Sequence, residues 1–267
     1  MRTIFITGTS SGLGKAAVNL FHSKGWKVIA TMRSIDKGKD FEGMERVTVL
    51  PLDITDLEQI NTAVASAIAL GDIDVVINNA AYGAIGPLES VTNEQLLKQI
   101  NTNLLGAIRV TQAFIPHFRI RRSGLFINIT SSAGLVTFPF DSLYHATKFG
   151  LEGWSEGMSY ELEPFGIRIK TVAPGFIKTD FGANIAVTSS EPYKELMDHY
   201  MGVLADPELA KNGSTPEDIA EVVYEAATDE KDQVHYIAGN DVKAMVDRRI
   251  QVGAEVTRKE MGQLFLK

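Results

Sequence analysis

The sequence predicts an α/β fold in one domain, a doubly wound, mostly seven-stranded parallel sheet with helices on both faces. Three observations predict it. Apolar runs rich in β-branched residues recur near 2–7, 27–31, 46–50, 73–77, 125–130, 167–173 and 234–237, each short enough for a buried strand. Stretches with helical apolar spacing lie between most of them, and such alternation is how parallel strands are joined by crossover helices. The 267 residues, 45% apolar and 22% charged, suit one sizeable core, and no repeat, low-complexity tract or Pro/Gly/Ser-rich linker divides them.

Taken in order, the first strand, within MRTIFITG, runs directly into a glycine turn and a helix from Gly14 to Ser23. Further helices are expected over Leu57–Leu70, Asn93–Phe118, Ser142–Glu163 and Pro216–Thr228. The last has Thr215 as N-cap, Pro216 in the first helical position and Glu217 and Asp218 in the first turn. From Gly175 to Gly213 the β/α rhythm breaks into glycines, prolines and bulky apolar residues, as expected of a loop or lid over the carboxyl edge of the sheet. After Gly239 there is room for one or two more helices, used either in packing or in association.

Composition removes several function classes. With 26 basic and 33 acidic residues the formal charge is −7, which disfavours nucleic acid as a partner. Cysteine is absent, so disulfides, thiolate metal sites and thiol nucleophiles are excluded. His22, His117, His145, His199 and His235 show no metal-ligand spacing, and no metal is expected. Glu161 and Glu163 belong to a charged, solvated helix face. No apolar run reaches the roughly 20 residues that cross a bilayer, and no leader precedes the first strand, so a cytoplasmic location is expected.

The segment TGTSSGLG, Thr7 to Gly14, carries the first functional signal. Glycine at 8, 12 and 14 lets the chain turn tightly and approach a pyrophosphate, while free N–H groups at the helix start, around Ser10, Ser11 and Leu13, supply partial positive charge. The spacing departs from Gly-x-Gly-x2-Gly, but its place between strand and helix points to a Rossmann-type dinucleotide site rather than an ordinary glycine turn. At the end of the second strand, ATMRS puts Met32 where a ribose-binding acid would stand, with Arg33 next. A guanidinium there pairs a 2′-phosphate, with a hydroxyl from Ser10 or Ser34 in support, so NADP(H) is expected in preference to NAD(H). The alternative leaves Arg33 solvated and gives the ribose to Asp36.

Tyr144 and Lys148 stand at i and i+4 near the start of a strong helical pattern, on one helix face. A free tyrosine titrates near ~10, and a neighbouring ammonium and a positive nicotinamide ring both favour phenolate, so Tyr144 is a candidate acid/base. Ser131, thirteen residues before Tyr144 and at the end of the strand FINIT, offers a hydroxyl to a substrate oxygen, with Ser132 as the alternative.

These motifs occur in order with Asn78-Asn79-Ala80, with Asn103 before Leu104-Leu105-Gly106, and with Pro174-Gly175 followed by Thr179. Together they make the chain resemble the short-chain dehydrogenase/reductase family over nearly its full length. The resemblance implies a catalytic tetrad of Asn103, Ser131, Tyr144 and Lys148, with Asn101 as the alternative to Asn103. In it Tyr144 exchanges a proton with the substrate oxygen, Ser131 orients that oxygen, Lys148 lowers the tyrosine pKa and holds the nicotinamide ribose, and Asn103 anchors a relay water. It also implies cofactor contacts from Asp53 and Ile54 at the adenine, from Asn79 and Ala80 near its ribose, and from Pro174, Gly175, Ile177 and Thr179 toward the nicotinamide. One departure is Ala81, where the family usually has glycine.

NNAAYG, YHATKFGLEG and HYIAG resemble the branch with retinol and 17β-hydroxysteroid dehydrogenases, which implies a carbonyl or alcohol on a small lipophilic substrate. Phe138, Phe140, Phe176 and Phe181 then either wall an apolar pocket or pack their loops to the body. Family likeness further implies a homodimer or homotetramer joined through the long helices from Asn93 and Ser142. Two rival functions share the core. A non-catalytic NADP(H) sensor would not need the whole tetrad, and a sugar-nucleotide epimerase would need a larger carboxyl-terminal region.

Overall fold

The computed structural model describes residues 1–179, 185–207 and 211–267. Seven strands form one parallel sheet, namely β1 (Thr3–Thr7), β2 (Lys27–Met32), β3 (Val47–Pro51), β4 (Val75–Asn78), β6 (Gly124–Ile129), β7 (Ile167–Pro174) and β9 (His235–Ala238). Their spatial order is β3-β2-β1-β4-β6-β7-β9. The register aligns Thr7 with Thr31, and Ile6 with Ile77. Because every pairing is parallel, all seven carboxyl ends share one edge. The chain winds outward from β1 in both directions, so a crevice opens between the ends of β1 and β4, the usual place for a ligand in such sheets.

The central strands are buried on both faces, as a doubly wound sheet requires, while the edge strands β3 and β9 are partly exposed. Ile4 and Ile6 of β1 pack with Phe21, Trp26 and Val223 under α1 (Gly12–Ser23) and the helix Pro216–Thr228. The intervening Phe5 points the other way, to Phe114, Phe118 and Phe126, in the layer formed by α2 (Leu57–Ala69), the helices after Asn93, and α5 (Ser142–Leu162). Alternation along a strand thus feeds two cores. α2 starts at Asp56, whose carboxylate accepts from the N–H groups of Glu58 and Gln59, while Thr215 and Asp218 form a reciprocal capping box on the later helix.

Two regions differ from the sequence expectation. The helix expected over Asn93–Phe118 is α3 (Asn93–Ile100), a π-helical segment Asn101–Gly106 and α4 (Ala107–Arg121). The wider turn sits where Gly106 is pressed against Ile54; a Cβ on Gly106 would lie 2.7 Å from Ile54 Cδ1. A π-segment inside a helix re-aims the side chains it carries. The excursion from Gly175 is also more ordered than a loop. It contributes β8 (Ala186–Val187), paired parallel with β5 (Ala84–Ile85), and α6 (Lys194–Leu204). After α7 (Pro216–Thr228), the tail forms α8 (Asn240–Val252) and α9 (Ala254–Leu266), and α9 packs on α6. Among the described residues no helix is long and apolar enough to cross a membrane.

Candidate functional site

The glycine turn is built by exclusion of side chains. Gly8 has φ +72° and Gly12 φ +54°, both in the left-handed region. A Cβ on Gly8 would fall 2.7 Å from Ala80 Cα, and one on Gly14 only 2.2 Å from the Gly8 carbonyl oxygen. Ser11 caps α1 without a side-chain hydrogen bond, so the first N–H groups of the helix, those near Ser11, Gly12 and Leu13, point past the turn without a side-chain acceptor from the cap. This is a cradle fitted to an anion, and a dinucleotide pyrophosphate suits its shape and charge.

Thr7 and Asn79 hold the cradle. Asn79 Nδ2 donates to the carbonyl oxygens of Thr7 and Gly8, both at 2.9 Å, and the N–H groups of Asn79 and Ala80 donate to Thr7 Oγ1 at 3.0 and 3.1 Å. The Asn79 amide is therefore committed to shaping the turn, and its place beside a ribose is indirect. Ala81 is exposed, so its methyl meets no crowding. Along the same edge, Asp53 Oδ1 accepts from the N–H and hydroxyl of Thr55, and Ile54 is buried against Gly106, which leaves the backbone of this pair at the cleft. Arg33 is exposed just past β2 and enters no ion pair among the described residues; Ser10 is half-buried, and Ser34 and Asp36 are exposed. Across the cleft, Thr179 Cγ2 would be 3.5 Å from a Cβ on Gly12. Thr179 follows Pro174, Gly175 and Ile177, the last of which bridges to Ser214.

At the other end of the cleft β6 delivers Ser131 and α5 delivers Tyr144 and Lys148. The Ser131 hydroxyl acts on the Tyr144 phenol and also accepts from the Ala133 N–H at 3.1 Å, while Ser132 is buried beneath. Burial pushes the Tyr144 phenol up, the Ser131 hydroxyl pulls it down, and the charge of Asp141 pushes it further up. Lys148 is 3% exposed, donates to the Ile129 carbonyl at 2.9 Å, and lies 5.6 Å from the centre of the Tyr144 ring. Burial draws its ammonium down to about 8, against the opposing pull of Glu152.

The π-segment turns Asn103 toward this cluster. Its Oδ1 accepts from the Tyr82 N–H and its Nδ2 donates to the Tyr82 carbonyl, each at 2.7 Å, with Thr147 Oγ1 at 3.5 Å; Thr147 in turn donates to the Tyr144 carbonyl at 2.8 Å. Asn101 makes no such link to α5, so of the two asparagines it is Asn103 that joins the cluster.

The substrate-side phenylalanines separate. Phe138 and Phe140 pack on a small core of Ile85, Tyr200 and Phe265. Phe140 lies 5.5 Å from Tyr200, and Phe138 5.9 Å from Phe265, both edge-on. Phe176 is exposed, and Phe181 lies outside the described residues. Sequence reasoning did not find Tyr200, Phe265 or Asp141. Tyr200 donates to Asp141 at 3.2 Å, three residues before Tyr144, from a helix the sequence did not mark.

The family profile described as short chain dehydrogenase matches residues 2–189. The chain belongs to the short-chain dehydrogenase family. An uncharacterised oxidoreductase of Schizosaccharomyces pombe is 37% identical over 238 residues, which is 86% of this chain and 100% of that protein. Bovine retinol dehydrogenase 8 is 33% identical over 83% of this chain and 76% of its own length. Among solved structures, a short-chain dehydrogenase from Streptomyces avermitilis superposes with a TM-score of 0.83 at 29% identity, covering 98% of this chain and 95% of that one. ElxO with NADP bound gives 0.77 at 27%, covering 91% and 99%. The family is one of oxidoreductases that use a nicotinamide cofactor and act on small molecules, and the retinol dehydrogenase relationship agrees with the sequence motifs.

Proposed function

We propose that this dehydrogenase uses NADP(H) to interconvert a carbonyl and a secondary or primary alcohol on a small lipophilic substrate, with Tyr144 as acid/base. The observation that carries the reading is the convergence of Ser131 and Tyr144 with Lys148, one turn further along the same helix and 5.6 Å from the tyrosine ring, at the open end of the glycine cradle. The bound nicotinamide supplies or accepts the hydride. The rest falls to side chains. Ser131 holds the substrate oxygen and shares its developing charge, and Tyr144 gives that oxygen its proton in reduction and withdraws it in oxidation. Lys148 favours the phenolate form of Tyr144 and binds ribose, and Asn103 keeps the π-segment facing them.

Gly8, Gly12 and Gly14 with Ser10, Ser11 and Leu13 receive the pyrophosphate, Arg33 the 2′-phosphate, Asp53 and Ile54 the adenine, and Pro174, Gly175, Ile177 and Thr179 the nicotinamide end. The preference for NADP(H) rests on the exposed guanidinium of Arg33 at the end of β2, which enters no ion pair among the described residues, and is supported by the NADP-bound relative. The stretch from Gly175 to Gly213 acts as the substrate-side cover, anchored where Phe138 and Phe140 pack against Tyr200 and Phe265. Exposed Phe149 and Tyr160 on α5 support association into a dimer or tetramer through that helix.

The test is NADPH oxidation against aliphatic, aromatic, retinoid and steroid carbonyls, with Tyr144→Phe beside the wild type. Loss of the proton carrier lowers kcat by about 10²–10⁴-fold with NADPH binding intact. Turnover near the wild-type rate in that variant would overturn the mechanism.

A further inference from the structure

Below the Tyr144–Lys148 pair lies a second, buried cluster that the reaction does not use directly. Glu152 is one helical turn beyond Lys148 on α5 and is 7% exposed. Its carboxylate accepts three hydrogen bonds, each from a different strand. Thr130 at the end of β6 donates to Oε1 at 2.5 Å, and Thr171 of β7 donates to Oε2 at 2.8 Å. His235 Nδ1 at the start of β9 is 2.8 Å from Oε2. The outer face of the imidazole meets Glu156 at 3.5 Å. Thr130 directly precedes Ser131, and its hydroxyl also reaches the Val172 carbonyl at 3.1 Å. Against the same turn, a Cβ on Gly134 would lie 3.2 Å from Glu152 Cγ, so the loop after Ser131 closes on Glu152 as well.

We propose that Glu152 is a positioning residue, which with His235 pins the Lys148 turn of α5 to the strands carrying Ser131 and the Pro174–Gly175 corner. The inference rests on the assignment of Ser131, Tyr144 and Lys148 given above. A carboxylate tied to three strands fixes both the height and the rotation of the helix that presents Tyr144 and Lys148. Its charge acts in the same direction, because Glu152 opposes the effect of burial on Lys148 and keeps the ammonium charged. His235 completes the set: the hydrogen bond to Glu152 raises its pKa, burial opposes this, and Glu156 adds to the rise. The groups facing this imidazole are Glu152 and Glu156 on α5 and the Thr171 hydroxyl on β7. Glu152 thus acts on Lys148 on one side and on His235 on the other, between the catalytic turn and a half-exposed edge of the sheet.

Two variants test it. In Glu152→Gln, with lysine Nζ labelled by ¹⁵N and Lys148 assigned by its loss in Lys148→Met, the Lys148 titration midpoint falls by a unit or more. In the same variant kcat for alcohol oxidation falls at least tenfold and its acid limb moves to higher pH, since a neutral lysine no longer favours the phenolate. A purely structural glutamate would change thermal stability and leave both the midpoint and the limb in place, and that result would overturn the proposal. The second variant does not depend on Glu152→Gln folding. In Lys148→Met the removal of one cation raises the His235 midpoint, read from its imidazole NMR signals, and an unmoved His235 would equally overturn it. Neither NMR measurement requires turnover, so a failure of the oxidoreductase reading in the Tyr144→Phe test is distinguishable from a failure of this one.

Discussion

The two halves of the cleft are built in opposite ways. At the cofactor end, a few residues adjacent in sequence make the surface, and backbone geometry does the work. Gly8 and Gly14 cannot carry a side chain, and Thr7 and Asn79 tie the turn to the next strand across only one sheet position. At the substrate end, Ile85, Phe138, Phe140, Tyr200 and Phe265 converge from four distant segments to form one aromatic cluster. The difference teaches that a site made of backbone constraint is written locally, while a site made of packed side chains is written only in the tertiary fold.

The sharpest way to break this comparison is Gly14→Ala. The added methyl meets the Gly8 carbonyl oxygen, which belongs to backbone and cannot swing away. NADPH affinity, measured by fluorescence titration, falls about 100-fold or more while the thermal transition stays cooperative. Retained affinity would show that the cradle is not the pyrophosphate site. A smaller effect follows from Arg33→Ala, which removes a charge-assisted contact worth about 1.5–3 kcal/mol, or roughly 10–100-fold in the KM for NADPH. The KM for NADH stays near its wild-type value. Equal losses with both cofactors would detach Arg33 from the 2′-phosphate and sharpen the role of Asp36 instead.

This contrast also explains what could be read in advance. The seven strands, their parallel arrangement and the helices on both faces were legible because the central strands are buried on both sides and so read as short, mostly apolar runs. The Tyr144–Lys148 and Ser131 pattern was legible because i, i+4 spacing on a helix fixes a shared face. The π-segment at Asn101–Gly106 was not, since the close approach of Ile54 to Gly106 there involves a strand end far away in the chain. α6 and α9 were missed or left open for a similar reason. Their partly exposed sequences acquire a direction only when Tyr200 and Phe265 dock together at 5.5 Å. Glu152 was not singled out, although its place one turn from Lys148, on the helix's buried face, was the available signal.

The smallest predicted effect concerns Asp141, where the substrate half carries a cost that the cofactor half does not. Its carboxyl is pushed up to about 7 by burial, with the Tyr200 hydroxyl bond pulling the other way, and its Oδ1 has no partner among the described residues. The folded pKa lies above the ordinary value of 3.8, so the native protein keeps a proton that the unfolded chain has already released. Stability therefore falls as pH climbs from the ordinary carboxyl range to about 7, and this loss is complete above that point. Asp141→Asn removes the titration while keeping an acceptor for Tyr200. The gap in Tm between variant and wild type should widen with pH up to about 7 and then hold. For a chain of this size each kcal/mol corresponds to about 2–4 °C, so a shift of a few degrees is expected by differential scanning calorimetry. The same substitution lifts the charge that pushes the Tyr144 phenol up, so the acid limb of alcohol oxidation should move to lower pH. A Tm gap constant from pH 4 to 8 would mean that Asp141 stays ionised and solvated in the fold. The aromatic cluster would then be open at the point where it meets α5, and the substrate half would be an accessible pocket rather than a packed one.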